Sequence, residues 1–555
     1  MLHLLRMSKK IILLLTLIII VASSLRLWQL GKIPISPDWD EVALGYNAYS
    51  IMQTGRDEYG KFLPIILRSF DDYKPAFYAY LSIPTISIFG LNVFSVRLPS
   101  AVFGILTVLA VFFLVKELFK KDNIALLSSL LLAISPWHIQ FSRVAFEANV
   151  GVALNVFGIL FFLKAFKKPQ YLLLSAIMLG MSLHVYQSEK VFIPFLIAIL
   201  IFTFKEKFFL IKKKYILISF LIFTFICLPL VYFTLTNKDA LARAKGVSIF
   251  SNSSIIQANT EKIARDRANN DILGLVLDNR RVEFVKYIVG GYLSHLDLNW
   301  LFIKGDIARH HAPNMGLLYL IELPFLLIGI YSLIFGKFDK RVKIFIILWF
   351  LIVPVPASIT NDVPHAVRVI NFLPVLQILT AIGIISSVGW ILHIKYKVLN
   401  IRIGYLILIL FPILSVFNFL YYLNQYFVQQ NYFNAKYWQY GYEAIVDHIS
   451  PIQKNYNKII VSNMATMDQS YMFFLFYLKY DPHKYLSEGG TLTGEIEGKN
   501  RFSNFEFKKF NYYEENEKNI LLIGSPFDFQ EEFRTIHKVN FPDGSLAIKI
   551  VEKDK

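Results

Sequence analysis

Long apolar runs separated by short basic clusters constrain the fold of this sequence more than any other feature. A helix needs about 20 mostly apolar residues to cross a bilayer. By this criterion we predict about eleven transmembrane helices, near 11–30, 97–116, 123–141, 150–166, 171–187, 190–205, 215–236, 316–336, 342–358, 369–394 and 403–424. The sequence therefore predicts an α-helical polytopic membrane protein.

The composition agrees with lipid as the main solvent. Of the 555 residues, 55% are hydrophobic and 17% are charged, whereas soluble proteins carry about 25% charged residues. The net charge of +17 would suggest a nucleic-acid partner in a soluble chain, but the basic residues here flank apolar runs. We therefore expect the lipid bilayer as a partner and no nucleic acid. The single cysteine, Cys227, excludes an internal disulfide and a multi-thiolate metal site.

Basic residues occur in every alternate loop, from Arg6 at the N-terminus to Lys395 before the last predicted span. Such residues favour the cytoplasmic side. We therefore predict a multi-pass protein of the cell membrane, with its N-terminus in the cytoplasm and its C-terminus outside. The first apolar run is predicted to be a retained anchor, and a cleaved signal peptide is the alternative.

Two domains are predicted. Residues 1–424 form a transmembrane domain with outer loops 31–96 and 237–315, and residues 425–555 form a tail. The tail contains strand-like runs and one helical segment, which predict a small extracytoplasmic α/β domain. These runs are Lys458–Ser462, Asn519–Ile523 and Leu546–Val551, and the helical segment lies near Tyr471–Tyr480.

The acidic residues gather in the outer loops and at the outer ends of the predicted helices. Transporters and proton pumps instead place ionisable residues within their spans, and here Glu322 is the only acid within a span and away from a helix end. This distribution indicates chemistry at the outer membrane surface. It counts against a transporter without excluding one.

The first outer loop contains the sequence Pro37-Asp38-Trp39-Asp40-Glu41. Asp38 and Glu41 have the spacing of a helix capping pair, which is the structural alternative for both residues. Asp40 is then a candidate general base that removes a proton from an acceptor hydroxyl. Lys74, later in the loop, is a candidate for neutralising a phosphate. The alternative for Lys74 is an ordinary ion pair with a neighbouring aspartate.

A second cluster follows the third predicted span. Arg143 and Glu147 are four positions apart, which places them on one face of a continuous helix. They are candidates for a structural ion pair, or for a site in which Glu147 faces Asp40 and orients the acceptor or a metal. Tyr186 and Lys190 border a very tight outer turn with a charge pair and are further candidates for substrate binding.

His365 and Arg368 lie just outside the ninth and tenth predicted spans. An arginine at a membrane face is suited to forked recognition of a phosphate. Arg309-His310-His311 adds ligand capacity in the second outer loop, but the spacing matches no tight metal motif. We therefore predict no metal site from the sequence, while a divalent cation stays open as a cofactor.

Four segments together resemble the family 39 glycosyltransferases of the C-type membrane superfamily, which include protein O-mannosyltransferases and bacterial aminoarabinose transferases. They are DWDEVALGYNAYSIMQTG, DDYKPAFYAYLSIPTISIFGLNVFSVRLPSAVFG, SPWHIQFSRVAFEAN and NDVPHAVRVINFLP. The resemblance covers the membrane part and implies the C-type glycosyltransferase architecture. It also implies inverting transfer of a hexosyl or pentosyl group from a polyprenyl monophosphate sugar to an extracytoplasmic protein, lipid or glycan.

The resemblance implies roles for individual residues. Asp40 corresponds to the catalytic base, with Glu41 adjacent, and Lys74 to the lysine that contacts the donor phosphate. Glu147 occupies an acidic position where several relatives have aspartate. Arg368 occupies a position where relatives have a basic residue for the phosphate of the lipid donor. The tail resembles no acceptor-binding domain.

Two other functions are kept as alternatives. A transporter of lipid-linked sugar or polysaccharide would move its substrate across the bilayer without covalent transfer. A non-catalytic receptor or scaffold would tolerate simultaneous replacement of Asp40, Lys74 and Glu147.

Overall fold

The computed structural model describes residues 7–237, 246–393, 397–398, 401–495, 498–529, 531 and 533–553. Arg6, Lys395 and the first part of outer loop 237–315 lie outside these residues. The chain divides into two units. Unit 1 comprises Met1–Leu25, Phe103–Gln140 and Ala148–Tyr422, and unit 2 comprises Arg26–Val102, Phe141–Glu147 and Leu423–Lys555.

Helices form most of the part that the sequence predicts to span the membrane. Within the described ranges, seven helices are long and apolar enough to cross a bilayer. They are Lys9–Leu27, Val93–Phe119, Glu147–Ala165, Lys213–Thr236, Lys340–Ser358, Ile370–Leu392 and Gly404–Phe433. Shorter apolar helices are Phe77–Phe89, Tyr171–Ser182 and Leu320–Phe335. The predicted class, a polytopic helical membrane protein, is confirmed, and the count of about eleven spans stays a prediction.

Some predicted spans are broken or short. The span predicted at 123–141 consists of two helices, Asp122–Ile134 and Pro136–Arg143, which meet at 56°. The break falls at Pro136 because a proline disfavours helical geometry in the residue before it and donates no N–H. The span predicted at 190–205 is a helix of 15 residues, Glu189–Thr203.

Unit 1 also contains shorter helices in and between the loops. These elements are Lys205–Phe208, Ile249–Ser251, Ser253–Ala268, Ile272–Leu277, Arg280–Ser294 and Trp300–Lys304. Three of the apolar helices given above consist of consecutive shorter pieces, namely Leu320–Glu322 with Leu323–Phe335, Lys340–Ile352 with Val355–Ser358, and Ile370–Phe372 with Val375–Leu392. Two strands, β3 (Lys397–Val398) and β4 (Ile401–Arg402), pair antiparallel.

Two helices of unit 1 pack closely because each has a glycine at the crossing. A Cβ atom at Gly329 would lie 1.8 Å from the carbonyl oxygen of Leu379, and one at Gly383 would lie 1.8 Å from that of Phe325. Small residues allow this close approach of helix backbones in membrane proteins. The helices Leu323–Phe335 and Val375–Leu392 therefore have little tolerance for larger residues at these two positions.

Unit 2 begins with the first outer loop. Its helix Trp39–Thr54 starts at a capping box, in which the Asp38 side chain accepts from the Glu41 N–H and the Glu41 side chain accepts from the Asp38 N–H. Two strands follow and pair as an antiparallel hairpin before the helix Phe77–Phe89. They are β1 (Ile66–Ser69) and β2 (Asp72–Pro75).

The tail contains six strands, β5 (Lys458–Val461), β6 (Asn500–Phe502), β7 (Phe505–Phe507), β8 (Ile520–Gly524), β9 (Thr535–Asn540) and β10 (Leu546–Lys553). They form one sheet in the order β6-β7-β5-β8-β10-β9. Strand β5 is parallel to both β7 and β8, and the other pairs are antiparallel. The last candidate span continues into the tail through Gln425–Gln429 and Gln430–Phe433. The other helices of the tail are Ala435–Trp438, Tyr442–Ile449, Gln453–Asn455, Ala465–Met467, Ser470–Tyr477, Pro482–Ser487 and Pro526–Asp528. A C-terminal domain built on a β-sheet is thus confirmed.

The first outer loop and the tail belong to the same unit. The division into domains at 424/425 stays a prediction. The Trp39 N–H donates to Oε1 of Gln439 at 2.9 Å, and the Gly494 N–H donates to Oδ2 of Asp71 at 3.2 Å. Hydrogen bonds therefore join the tail both to the helix that carries Asp40 and to the β1–β2 hairpin of the first outer loop.

Candidate functional site

Asp40 and Lys74 form an ion pair in unit 2. Asp40 is in the first turn of the helix Trp39–Thr54, and Lys74 lies in β2. The Lys74 side chain is 9% exposed, whereas that of Asp40 is 45% exposed. The ammonium is therefore enclosed by the protein, while the carboxylate is open to a ligand that approaches from solvent.

Glu147 belongs to the same cluster. Burial acts to lower the pKa of Lys74, but the carboxylates of Asp40 and Glu147 outweigh burial and raise this pKa. Glu147 is 8% exposed and begins the helix Glu147–Ala165. The structure thus brings Asp40 and Glu147 near the ammonium of Lys74, and all three are site residues that the sequence predicts.

Glu41 forms the capping box and a buried network of its own, and the catalytic role that the sequence assigns to it stays a prediction. Its two carboxylate oxygens accept hydrogen bonds from Arg97 at 2.8 and 2.9 Å, and Oε1 also accepts from the Ala145 N–H at 3.0 Å. Glu41 is 2% exposed. Because its oxygens accept hydrogen bonds from buried donors, Glu41 is suited to positioning the start of the helix that carries Asp40.

Arg97 is a central residue of unit 2 that the sequence analysis missed. Its guanidinium is fully buried and makes five hydrogen bonds, two to Glu41 and three to backbone carbonyl groups of the segment before the capping box. Five N–H groups are the full donor capacity of an arginine. The signal in the sequence is an arginine at the start of an apolar run, where a charge is costly unless it is paired.

Arg143 does not share a helix face with Glu147. The helix Pro136–Arg143 ends at this residue, and Glu147 begins the next helix. The Arg143 guanidinium is fully buried, donates to the carbonyl of Ile33 at 3.0 Å and lies 4.9 Å from the ring centroid of Phe427. The charged group of Arg143 thus has partners inside the protein, and a role of Arg143 in substrate binding stays a prediction.

Tyr186 and Lys190 lie at the predicted outer turn of unit 1 and are half-buried. The acid beside them, Glu189, is fully buried and accepts from Asn155 at 2.8 Å and from Asn371 at 2.7 Å. The sequence predicts a charge pair between Glu189 and Lys190. In the structure the Glu189 carboxylate instead accepts hydrogen bonds from the two buried amides. The roles of Tyr186 and Lys190 in substrate binding stay predictions.

A group of three possible metal ligands occurs in the described part of unit 1. The ligand atoms of Asp306, His310 and His365 lie within 4.8 Å of one another. Nδ1 of His310 is 3.1 Å from Oδ2 of Asp306, and Nδ1 of His365 is buried without a hydrogen-bond partner among the described residues. Imidazole and carboxylate groups are suitable ligands for Zn²⁺, and three of them leave a fourth position open.

Burial also favours the neutral form of these imidazoles. It lowers the pKa of His310 and of His365, and the positive charge of Arg368 lowers the pKa of His365 further. A neutral imidazole is the form that binds a metal. This cluster can therefore hold a divalent cation, which the sequence analysis leaves open but does not locate.

Arg368 is half-buried in unit 1, and its Nη1 donates to Oγ1 of Thr360 at 2.7 Å and to the carbonyl of Asn361. These bonds hold the guanidinium against the preceding loop. The role of Arg368 at a lipid phosphate stays a prediction.

Comparisons with known proteins agree with this architecture. Residues 73–233 match the family model described as dolichyl-phosphate-mannose-protein mannosyltransferase. This segment includes Lys74 and Glu147. No curated protein matches the chain.

Solved membrane glycosyltransferases have a similar structure. ArnT from Cupriavidus metallidurans bound to undecaprenyl phosphate has a TM-score of 0.55 at 11% identity, over 98% of each chain. The apo form of ArnT has a TM-score of 0.53 at 11% identity, over 96% of this chain and 97% of that chain. The oligosaccharyltransferase AglB from Archaeoglobus fulgidus, in complex with an inhibitory peptide and a dolichol-phosphate, has a TM-score of 0.50 at 14% identity.

The match with AglB covers 84% of this chain and 63% of that chain, so this chain spans less than two thirds of AglB. At these identities the likeness defines the fold. The predicted architecture is thereby confirmed: the chain has the fold of the C-type membrane glycosyltransferases, and its residues 73–233 match the mannosyltransferase family model.

Proposed function

We propose that the protein is an inverting membrane glycosyltransferase that moves a sugar from a polyprenyl monophosphate carrier to an acceptor outside the cytoplasm. The observation that carries this proposal is the cluster of Asp40, Lys74 and Glu147 in unit 2. The match of residues 73–233 to a mannosyltransferase family supports the reaction type. The polyprenyl phosphates in the structures of ArnT and AglB support the donor class.

Asp40 is the general base in this mechanism. Its exposed carboxylate accepts the proton of the acceptor hydroxyl, whose oxygen attacks the anomeric carbon of the donor sugar. The bond between that carbon and the phosphate oxygen breaks, and polyprenyl phosphate leaves with the bonding electron pair. Because attack and departure occur on opposite faces of the sugar, one displacement inverts the anomeric configuration.

Lys74 stabilises the charge that grows on the departing phosphate. An ammonium has three N–H donors, so Lys74 can contact a phosphate oxygen and retain a bond to Asp40. Its raised pKa keeps it charged when the donor binds. A fixed positive charge aimed at the developing negative charge is commonly the largest single contribution to such catalysis.

Glu147 is a second carboxylate beside the same ammonium. In the proposed mechanism it orients the acceptor hydroxyl toward Asp40, or holds Lys74 between the donor phosphate and the base. Unit 2 would then lie on the outer side of the membrane, with the N-terminus in the cytoplasm.

Transfer from a labelled donor tests the proposal. Purified protein is incubated with radiolabelled polyprenyl-phosphate hexoses and pentoses and a membrane extract, and the labelled fraction is isolated. Asp40→Asn is expected to abolish transfer with unchanged folding, because the isosteric amide cannot accept the proton. Asp543→Asn, at an exposed turn of the tail, is the matched control and should retain transfer.

Near-normal transfer by Asp40→Asn would contradict the assignment of the base. Movement of the labelled lipid across liposome membranes without a covalent product would indicate the transporter alternative instead.

A further inference from the structure

A cavity of about 330 Å³ lies in unit 2, at one edge of the tail sheet. Its lining includes Met464, which follows β5, Phe510, which follows β7, and Ser525, which follows β8. Strands β7, β5 and β8 are parallel, so their carboxyl ends meet at the same edge. In open α/β sheets this edge is where ligands bind.

Aromatic rings form much of the lining. Phe527 is 84% exposed and Tyr513 is 55% exposed, although both are large apolar groups that gain free energy when covered. The rings of Tyr512 and Phe533 stack with their centroids 3.7 Å apart and form part of the same lining. The faces of Tyr512 and Phe533 that stack are covered by each other, so Phe527 and Tyr513 are the accessible aromatic groups of the cavity.

Polar groups at the cavity are held in fixed positions. Oδ1 of Asp528 accepts from the Ser462 hydroxyl at 2.7 Å, and Oδ2 accepts from the Ser525 N–H at 2.7 Å. Oδ1 of Asn511 accepts from the Tyr513 N–H at 3.1 Å. Carboxylate and amide oxygens have more than one lone pair, so these groups can accept further hydrogen bonds from a ligand.

Flat aromatic faces beside fixed carboxylate and amide groups match the chemistry of a saccharide. A pyranose ring presents an apolar face of C–H groups that packs on an aromatic ring, and its hydroxyl groups bond to polar side chains around the edge. The lining carries both the carboxylate of Asp528 and the ammonium of Lys509, so its charge does not single out an anionic ligand such as a nucleotide. A pocket of this size is within the range of small-ligand sites.

We propose that this cavity binds a saccharide, namely a sugar unit of a glycan acceptor. We infer saccharide binding from the cavity and its lining alone. The assignment of this saccharide as an acceptor rests on the proposed function. The proposal names a glycan among the three acceptor classes that the sequence leaves open.

Binding by the full-length protein tests the site. The protein is placed in lipid nanodiscs without alkyl-glycoside detergent, whose sugar headgroup would compete. Fluorescent tetrasaccharides of mannose, glucose and N-acetylglucosamine serve as probes, and their anisotropy is measured. We expect at least one tetrasaccharide to bind, and Phe527→Ala to weaken its affinity about tenfold because one stacking face is lost.

The matched control is Tyr437→Ala, which removes another exposed aromatic group of the tail, 49% exposed, that does not line the cavity. It should leave the affinity unchanged. Because Phe527 is largely exposed, its replacement should also leave the melting temperature unchanged, and this is measured in parallel.

Three outcomes would overturn the proposal: no tetrasaccharide binds, Phe527→Ala binds as tightly as the original protein, or both variants lose affinity equally. The Asp40→Asn variant separates this result from the proposed function. Saccharide binding by Asp40→Asn with loss of transfer supports both proposals. Retained transfer by Asp40→Asn contradicts the catalytic proposal and leaves the binding result to be judged on its own.

Discussion

Lys74 is paired with Asp40 although 34 positions separate them in the chain. The pair joins a strand to the first turn of a helix, and the enclosed partner is the cation. A buried ammonium beside an accessible carboxylate is an arrangement that can receive an anionic donor at one partner and a hydroxyl at the other.

Replacement of Lys74 is expected to reduce turnover more than folding. Lys74→Gln keeps much of the side-chain length but removes the charge, and we expect kcat for sugar transfer to fall by about 10²–10³. Lys74→Arg, which keeps the charge with a different shape, should retain more activity than Lys74→Gln. Steady-state kinetics with a fixed acceptor measure both, and equal activity of Lys74→Gln and the original protein would contradict the role in phosphate stabilisation.

Replacement of Arg97 should lower the free energy of unfolding. Arg97→Met leaves the buried Glu41 carboxylate without its cation, and breaking a buried pair in this way costs about 3–5 kcal/mol of unfolding free energy. The control is Arg68→Ala, because the pair of Arg68 with Asp71 is partly exposed and is worth about 0–1 kcal/mol. Thermal melting in nanodiscs measures both. A smaller decrease in melting temperature for Arg97→Met than for Arg68→Ala would contradict the buried ion pair between Arg97 and Glu41.

Glu58 should make the stability of unit 2 depend on pH. Burial raises the pKa of Glu58 to about 7, although hydrogen bonds from Thr491 and Asn47 act to lower it. Because the folded-state pKa is above the ordinary value of 4.5, the folded protein retains a proton that the unfolded chain loses between these two values. The stabilising contribution is therefore complete below about pH 4.5 and is lost as the pH rises to about 7.

The melting temperatures of the original protein and of Glu58→Gln, measured from pH 4.5 to 8, test this prediction. The glutamine stays neutral, so the difference between the two proteins should change across this range in favour of the variant. A constant difference would contradict the raised pKa.

The Asp306–His310–His365 cluster predicts a response to zinc. We expect Zn²⁺ to raise the melting temperature of the chelator-treated protein, because an ion that binds only the folded state stabilises it. His310→Ala should remove this response, whereas His448→Ala, in the tail, should retain it. An equal response in both variants would show that zinc binds elsewhere.

The apolar periodicity and the helix-start spacing of Asp38 and Glu41 are local signals, and the sequence predicts the corresponding structure well. The capping box is present, and the predicted strands Lys458–Ser462 and Leu546–Val551 overlap β5 and β10. The cluster of Asp40, Lys74 and Glu147 is anticipated through the family resemblance. Spacing alone does not reveal it, because its members lie on separate elements.

Other features depend on partners that are distant in the chain. Arg97 bonds to Glu41 across 56 positions, and the Ala366 N–H bonds to Asp306 across 60. Nothing local to either residue indicates its partner. Arg143 and Glu147 are close in the chain, and their spacing of four predicts a shared helix face. This prediction is wrong because one helix ends at Arg143 and the next begins at Glu147.

The carboxylate of Glu58 also has consequences for engineering. It receives hydrogen bonds from Asn47, on the helix of the first outer loop, and from Tyr471 and Thr491, in the tail. A chimera that exchanged only the tail would replace two of these three donors and leave an acid enclosed under the helix that carries Asp40. A functional exchange of acceptor specificity between such enzymes should therefore transplant the outer loop and the tail together, as one cassette.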